Sequence, residues 1–189
     1  MVGYRSNYKV DMSDQKQNSN STARPSAGQG EGTSVTLSEQ ELQAINHEIQ
    51  QVPYKKAAVI EALKIVQQYR RWVSDESVEA IAGHLEMSPA EVDSVATFYN
   101  LIFRKPVGRH VILLCDSISC YVMGYKKLQE ALQQKLKIRF GETTTDQRFT
   151  LLPNCCLGCC DHAPALMIDE DLHQDVAIEM LDEILKKYV

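Results

Sequence analysis

The residues best suited to chemistry are six cysteines, which lie in two short segments of this 189-residue chain. Cys115 and Cys120 are separated by four residues, and the other four cysteines follow in the segment Pro153-Asn-Cys-Cys-Leu-Gly-Cys-Cys-Asp-His-Ala-Pro164. Deprotonated thiols are soft ligands, and four of them complete an iron–sulfur centre of the [2Fe–2S] or [4Fe–4S] type. The two segments together therefore predict a metal-binding or redox site.

The spacing of the second segment leaves the choice of ligands open. It offers Cys155 with Cys159, Cys156 with Cys160, or the closer pair Cys156 and Cys159. A structural zinc ion is one alternative, because zinc also takes four thiolates from two such pairs. A thioredoxin-type dithiol is another, although its Cys-x-x-Cys motif ordinarily opens the helix after the first strand. The remaining interpretation is that the cysteines are buried small apolar residues.

The elements that precede the cysteines are predicted to be helical. Between about 36 and 100, apolar residues recur at helical spacing, and the motifs Ser38-x-x-Glu41 and Ser88-x-x-Glu91 are typical of capping boxes. Pro89 adds a proline at the first helical position of the last segment. We therefore predict four short helices packed as a small bundle.

The elements that carry the cysteines alternate between strand and helix. The sequence predicts strands at 110–114, 149–152 and 165–168 and helices at 125–136 and 176–188. Alternation of this kind is typical of an α/β or α+β domain. Each cysteine segment follows a predicted strand, so we expect both segments to emerge at one edge of the sheet.

Composition and charge exclude several classes of function. The net charge of −5 argues against nucleic acid as a partner, because phosphate binding needs clustered Lys and Arg. No apolar run approaches the roughly 20 residues of a membrane-spanning helix. Residues 1–35 are poor in aliphatic side chains and are predicted to be a disordered tail. The N-terminus lacks a secretory signal, and its acidic residues are atypical of a transit peptide, so we expect a reducing cytoplasm.

Four motifs occur in a specific order along 36–189. They are Ala96-Thr97-Phe98-Tyr99, Pro106-Val107-Gly108-Arg109-His110, Cys115-x4-Cys120 and Cys156-Leu-Gly-x-Cys160-Asp-x-Ala-Pro164. In this order they resemble the family of thioredoxin-like [2Fe–2S] ferredoxins that serve as the E subunit of bacterial NADH-quinone oxidoreductase, respiratory complex I. Nothing in the tail carries the resemblance.

The resemblance implies an α+β fold in which an N-terminal small helical bundle, 36–106, precedes a thioredoxin-like α/β domain, 107–189. It also implies one [2Fe–2S] cluster and selects its ligands from the possibilities above. Carried over residue by residue, the ligand pattern falls on Cys115, Cys120, Cys156 and Cys160. Cys155 and Cys159 then lie near the cluster without binding it.

The function implied by the resemblance is that of a redox subunit of NADH:quinone oxidoreductase with no catalytic residue of its own. Its cluster would accept electrons from the FMN of a partner flavoprotein that binds NADH. Other peripheral-arm iron–sulfur subunits are further expected partners, and the complex would place this chain on the cytoplasmic side of the inner membrane without insertion. This chain contains no nucleotide-binding glycine motif, which fits such a division of labour.

Three other functions remain as alternatives. The same module could serve as the diaphorase subunit of an NAD-dependent formate dehydrogenase or hydrogenase, which gene neighbours or partners would distinguish. A free-standing thioredoxin-like ferredoxin is disfavoured, because a diffusing carrier has no use for an extra helical bundle. A zinc-stabilised interaction module belongs to a different class and would be colourless.

Overall fold

The computed structural model describes residues 36–189, so the prediction of a disordered tail at 1–35 lies outside the described residues. The described residues belong to one compact unit. Helices alone occupy its first half, and a four-stranded sheet with three further helices occupies the second. Within 36–189, no helix is long and apolar enough to cross a membrane.

The first half is the predicted helical bundle. Its helices begin where the sequence places caps: Ser38 and Ser88 each form a capping box with the glutamate three residues later, and Ser74 caps the third helix. The helices bury one apolar face each, because their apolar residues recur every three or four positions. The four helices are α1 (Glu39–Ile49), α2 (Val59–Arg70), α3 (Asp75–Leu85) and α4 (Pro89–Phe98).

A buried ion pair joins the first two helices of the bundle. Glu41 is 1% exposed, and each of its carboxylate oxygens accepts a 2.6 Å hydrogen bond from the Arg70 guanidinium. Burial by itself raises the pKa of Glu41. The hydrogen bonds from Arg70 and Ser38 and the charge of Arg70 outweigh that effect and hold the pKa below its ordinary value of 4.5.

This ion pair predicts a specific acid sensitivity. The pKa of Glu41 is higher in the unfolded chain than in the folded chain. The stabilising effect of the ionised Glu41 carboxylate is therefore complete above about pH 4.5 and is lost as the pH falls through the lower folded pKa. We expect Glu41→Gln to be less stable than the natural chain by about 2 kcal/mol at pH 7. Urea unfolding at pH 7 down to pH 3 should show this difference shrinking with acidity. A difference that stays constant would contradict the prediction.

The second half contains a mixed sheet with the strand order β2-β1-β3-β4. The central strand β1 pairs in parallel with β2 and antiparallel with β3, and β4 pairs antiparallel with β3 at the far edge. The bundle and the sheet bury separate clusters of apolar side chains. The strands are β1 (His110–Cys115), β2 (Phe149–Asn154), β3 (Leu166–Ile168) and β4 (Asp171–His173), and the helices are α5 (Ile118–Val122), α6 (Tyr125–Leu136) and α7 (Leu181–Lys186).

The predicted α+β fold class is confirmed, with three local differences. Strand β4 and helix α5 were not predicted, because segments of three and five residues are too short to show a period. The last helix is shorter than predicted: a 3₁₀ turn at Ile178–Met180 precedes α7. Val176 instead donates its backbone N–H to the Pro164 carbonyl, and the next residue, Ala177, has an extended backbone. The boundary at 106/107 stays a prediction.

Candidate metal centre

The two cysteine segments leave the sheet side by side. Strand β1 ends at Cys115 and β2 ends at Asn154, and the parallel register places these two residues opposite each other. The Asp116 N–H donates a 3.0 Å hydrogen bond to the Asn154 carbonyl, which continues the pairing by one step. Because the carboxyl ends of parallel strands meet at one edge, the loops after β1 and β2 begin in contact, as the sequence predicted.

The first loop turns at once into the short helix α5. This helix carries Cys120 back against the sheet, so that Cys115 and Cys120 are both buried. Burial, and after it the neighbouring Cys115 thiol, raises the pKa of Cys120 to about 11. The free thiol therefore keeps its proton at neutral pH, and a metal must displace the proton on binding.

The second loop folds around Gly158. This glycine has a φ of +82°, a conformation that costs other residues backbone strain. The turn aims the Gly158 N–H at the Cys156 sulfur, 3.4 Å away, and brings the sulfurs of Cys156 and Cys160 to 3.7 Å. The Gly158 N–H, and after it the Cys160 thiol, lower the pKa of Cys156. The hydrogen bond to Cys156 raises the pKa of Cys160.

The two loops approach each other at the cysteines: the Cys115 sulfur lies 4.0 Å from the Cys155 carbonyl oxygen. Cys115 also contributes to lowering the pKa of Cys156 and to raising the pKa of Cys160. The hydroxyl of Ser117 acts to lower the pKa of Cys156, and that of Ser119 acts to lower the pKa of Cys160, so the first loop also supplies polar groups to the second. The structure thus places the four predicted ligands in two adjacent loops, with the Cys156 and Cys160 sulfurs 3.7 Å apart.

The donor set fits an iron–sulfur cluster. Two thiolates on one tetrahedral metal with bonds of about 2.3 Å lie about 3.8 Å apart, and the 3.7 Å between the Cys156 and Cys160 sulfurs matches that separation. A [2Fe–2S] cluster takes four thiolates as two pairs, one pair for each iron. Within residues 36–189, no three His, Cys, Asp or Glu side chains surround a single metal position. The thiols are therefore arranged in pairs, as the ligands of a [2Fe–2S] cluster are.

Substituting Gly158 tests whether the loop conformation matters for the metal. Gly158 and Gly141 both have a φ of +82°, but Gly141 lies in a turn outside the cysteine loops and has open space where a Cβ would stand. We expect Gly158→Ala and Gly141→Ala each to lower the free energy of unfolding by about 1–2 kcal/mol. Only Gly158→Ala should also lower the iron content of the purified protein. Equal iron in the two variants would contradict this.

The two remaining cysteines occupy different environments. Cys159 is buried in the apolar core of the sheet, in the same cluster of side chains as Cys120. Cys155 is exposed, and its carbonyl oxygen lies 4.0 Å from the Cys115 sulfur. Their proposed role as neighbours that do not bind metal remains a prediction.

Sequence reasoning missed the exposed apolar surface next to the cysteines. Helix α5 presents Ile118 and Val122, each 73% exposed, together with Tyr121. We call these three residues the apolar rim. Monomeric proteins seldom leave such side chains in water, and their signal in the sequence is an apolar Ile-x-x-Tyr-Val run with no helical face to bury it.

A second missed feature is a contact that holds the far end of the second loop. His162 Nδ1 lies 2.8 Å from an Asp175 carboxylate oxygen, and the Asp175 N–H donates to the His162 carbonyl at 3.0 Å. The sequence interval of 13 residues between them carries no local signal. These two contacts between His162 and Asp175 stabilise the position of the loop just after Cys160.

The model of the thioredoxin-like [2Fe–2S] ferredoxin family matches residues 45–189 of this chain. The chain belongs to the thioredoxin-like [2Fe–2S] ferredoxin family. Membership confirms the predicted fold and supports the iron–sulfur interpretation of the cysteines. The identity of the individual ligands remains a prediction, which the geometry described above supports.

Relatives with high identity are E subunits of NADH-quinone oxidoreductases. The chain is 53% identical to the E subunit of NADH-quinone oxidoreductase from Escherichia coli strain K12 over 152 residues, which cover 80% of this chain and 92% of that one. It is 51% identical to the corresponding protein of Pseudomonas aeruginosa strain PAO1 over 153 residues, 81% and 92% of the two chains.

A solved structure shares the ferredoxin fold at lower identity. An NAD⁺-reducing [NiFe]-hydrogenase in its H₂-reduced state superposes with a TM-score of 0.57 at 24% identity. The match covers 67% of this chain but only 22% of the hydrogenase chain. This likeness concerns the fold alone.

Proposed function

We propose that this chain is the electron-transferring E subunit of an NADH:quinone oxidoreductase and carries one [2Fe–2S] cluster on Cys115, Cys120, Cys156 and Cys160. One observation carries the proposal: two parallel strands bring paired thiols together in a chain of this family that is about half identical to curated E subunits. No residue of the site is needed as an acid, a base or a nucleophile.

The burial of the site is asymmetric, which gives the proposed subunit two distinct sides. Cys115 and Cys120 lie inside the apolar core, whereas Cys156 and Cys160 are exposed. When bound, a [2Fe–2S] cluster supplies one-electron redox chemistry. The buried pair shields one side from water, and the Gly158 N–H donates to the Cys156 sulfur of the exposed pair. Such hydrogen bonds to sulfur tune the reduction potential.

The apolar rim is evidence for a partner subunit that binds on the exposed side of the site. A flavoprotein subunit that binds NADH and FMN is the partner we infer, as the resemblance of the cysteine motifs implies. Its approach would cover Ile118, Tyr121 and Val122, which lie on the same short helix as Cys120. Covering them would remove apolar surface from water and bring the cluster close to the flavin.

The remaining parts of the proposal concern the assembly. Other iron–sulfur subunits of a peripheral arm are further proposed partners, and the assembly would sit on the cytoplasmic side of the inner membrane. The fold shared with the NAD⁺-reducing hydrogenase favours a second candidate, the diaphorase subunit of such an enzyme. Identification of the proteins that copurify with this chain distinguishes the two.

The proposal is tested on anaerobically purified chain by counting iron and zinc and recording EPR spectra before and after dithionite. We expect about two irons per chain and an S = 1/2 signal only after reduction. A colourless protein that holds zinc and takes up no iron after anaerobic reconstitution would overturn the proposal. That outcome would leave the zinc-stabilised interaction module.

A further inference from the structure

The segment between α4 and β1 is held tightly by the helical bundle. Gln67 of α2 donates its side-chain amide to the Leu101 carbonyl at 2.8 Å and accepts from the Phe103 N–H at 2.6 Å. Arg104 in the same segment hydrogen-bonds to Asp93 at 3.0 Å and Asp75 at 2.6 Å. The connection is therefore an extension of the bundle, with a fixed position relative to its helices.

From this fixed base the bundle contacts the strand pair β1–β2 at both ends. At the amino end, Arg71 donates to the Gly108 carbonyl at 2.6 Å and to the Arg109 carbonyl, directly before β1 begins. At the carboxyl end, the Asn100 side-chain amide donates to the Asn154 side-chain oxygen at 2.5 Å. These contacts span 37 and 54 residues of sequence.

Asn154 occupies the position where the two cysteine loops diverge. Its backbone is paired with Cys115 in the strand register, its carbonyl accepts the Asp116 N–H, and its own chain continues into Cys155 and Cys156. The residue is 7% exposed, and Asn100 is the partner of its side-chain oxygen. A shift of Asn154 would therefore move the loop that carries Cys156 relative to the strand that carries Cys115.

We propose that the helical bundle braces the strand pair β1–β2, and that Asn100 and Asn154 are positioning residues that set the placement of one cysteine loop against the other. The proposal rests on the proposed function, because it assumes that the two loops share a [2Fe–2S] cluster. It assigns the bundle a task inside the chain, in addition to any contact with partner subunits. Arg71 performs the equivalent task at the opposite end of β1.

The test compares Asn100→Ala and Asn154→Ala with a matched control, Asn46→Ala. Asn46 lies on α1, and its side-chain oxygen is 2.9 Å from His84 on α3, so the control removes an asparagine hydrogen bond wholly inside the bundle. Asn100 is exposed, and its truncation leaves both cores untouched, which keeps the test valid if Asn154→Ala fails to fold. The measurements are the EPR line shape, the reduction potential and iron release to a chelator.

We expect the two brace variants to alter the EPR g values and the reduction potential, and to release iron about threefold to tenfold faster. Asn46→Ala should leave all three readouts unchanged. The double variant Asn100→Ala/Asn154→Ala should match the stronger single variant, because both remove the same contact. Thermal unfolding of the iron-free chains should show losses of similar size for Asn100→Ala and Asn46→Ala.

Two results would overturn the proposal that the bundle braces the strand pair β1–β2. One is an unchanged EPR spectrum and potential in Asn100→Ala and Asn154→Ala despite lower thermal stability, which would make the contact merely structural. The other is additive effects in the double variant. Failure of the proposed function is recognised separately, because the natural chain itself would then show no reduced S = 1/2 signal.

Discussion

Cys156→Ser is expected to remove the reduced S = 1/2 signal and to lower the iron content from about two per chain to well below one. Serine replaces a soft thiolate with a hard hydroxyl of far higher pKa, so one of the two irons loses half of its protein ligands. The exposure of Cys156 means that the substitution leaves the apolar core intact. Iron analysis and EPR on protein purified without oxygen provide the measurement.

Cys159→Ser is the matched control for this loss. It makes the same atomic change three residues along the same loop, at a thiol that lies in the core beside Cys120 and is not among the proposed ligands. We expect it to retain the iron and the signal while unfolding at a lower temperature, because a hydroxyl is then buried among apolar groups. If Cys159→Ser lost the cluster and Cys156→Ser kept it, the ligand assignment would be wrong.

Val122→Glu is expected to weaken binding of the flavoprotein subunit by about 100-fold, because a carboxylate on the apolar rim would have to be buried without a partner. The side chain is 73% exposed in the free chain, so folding and the cluster should be unaffected. Titration with the purified NADH-oxidising, FMN-containing subunit, followed by the EPR signal after addition of NADH, measures both binding and electron delivery.

The matched control for this substitution is Leu172→Glu. Leu172 is 44% exposed on β4, the edge strand farthest from β2 in the sheet, and the change adds the same charge to another exposed apolar residue. It should leave the affinity within about threefold of the natural value, a difference below about 1 kcal/mol. Equal weakening by both variants would show that the partner does not recognise the apolar rim.

Helix boundaries and cysteine spacing are local properties, and they could be read from the sequence. Ser38 and Ser88 cap helices because their own hydroxyls reach an N–H three residues ahead, a contact that depends on no other element. The alternation of strands and helices after 107 likewise reflects burial of each segment's own apolar face. These local rules were sufficient for the helical bundle, for an α/β or α+β domain after it, and for the expectation that both cysteine segments follow strands.

Which thiols lie together was decided by tertiary structure. The cysteine pattern alone allowed three pairings in the second segment. The turn at Gly158 places Cys156 beside Cys160, and the parallel pairing of β1 with β2 places the Cys155 carbonyl beside Cys115. Chain segments some 40 residues apart meet only because both strands are buried in one core. No periodicity within either segment contains that information.

The long-range polar contacts also cannot be predicted from the sequence. Arg70 with Glu41, Arg71 with Gly108, and Asn100 with Asn154 join residues 29, 37 and 54 positions apart. A polar side chain looks the same in a sequence whether it faces water or a distant partner, since its hydrogen-bonding capacity is identical in both cases. By itself the sequence determined most of the elements and the two cysteine segments; only the tertiary structure determined which polar groups meet, because those contacts join segments that are far apart along the chain.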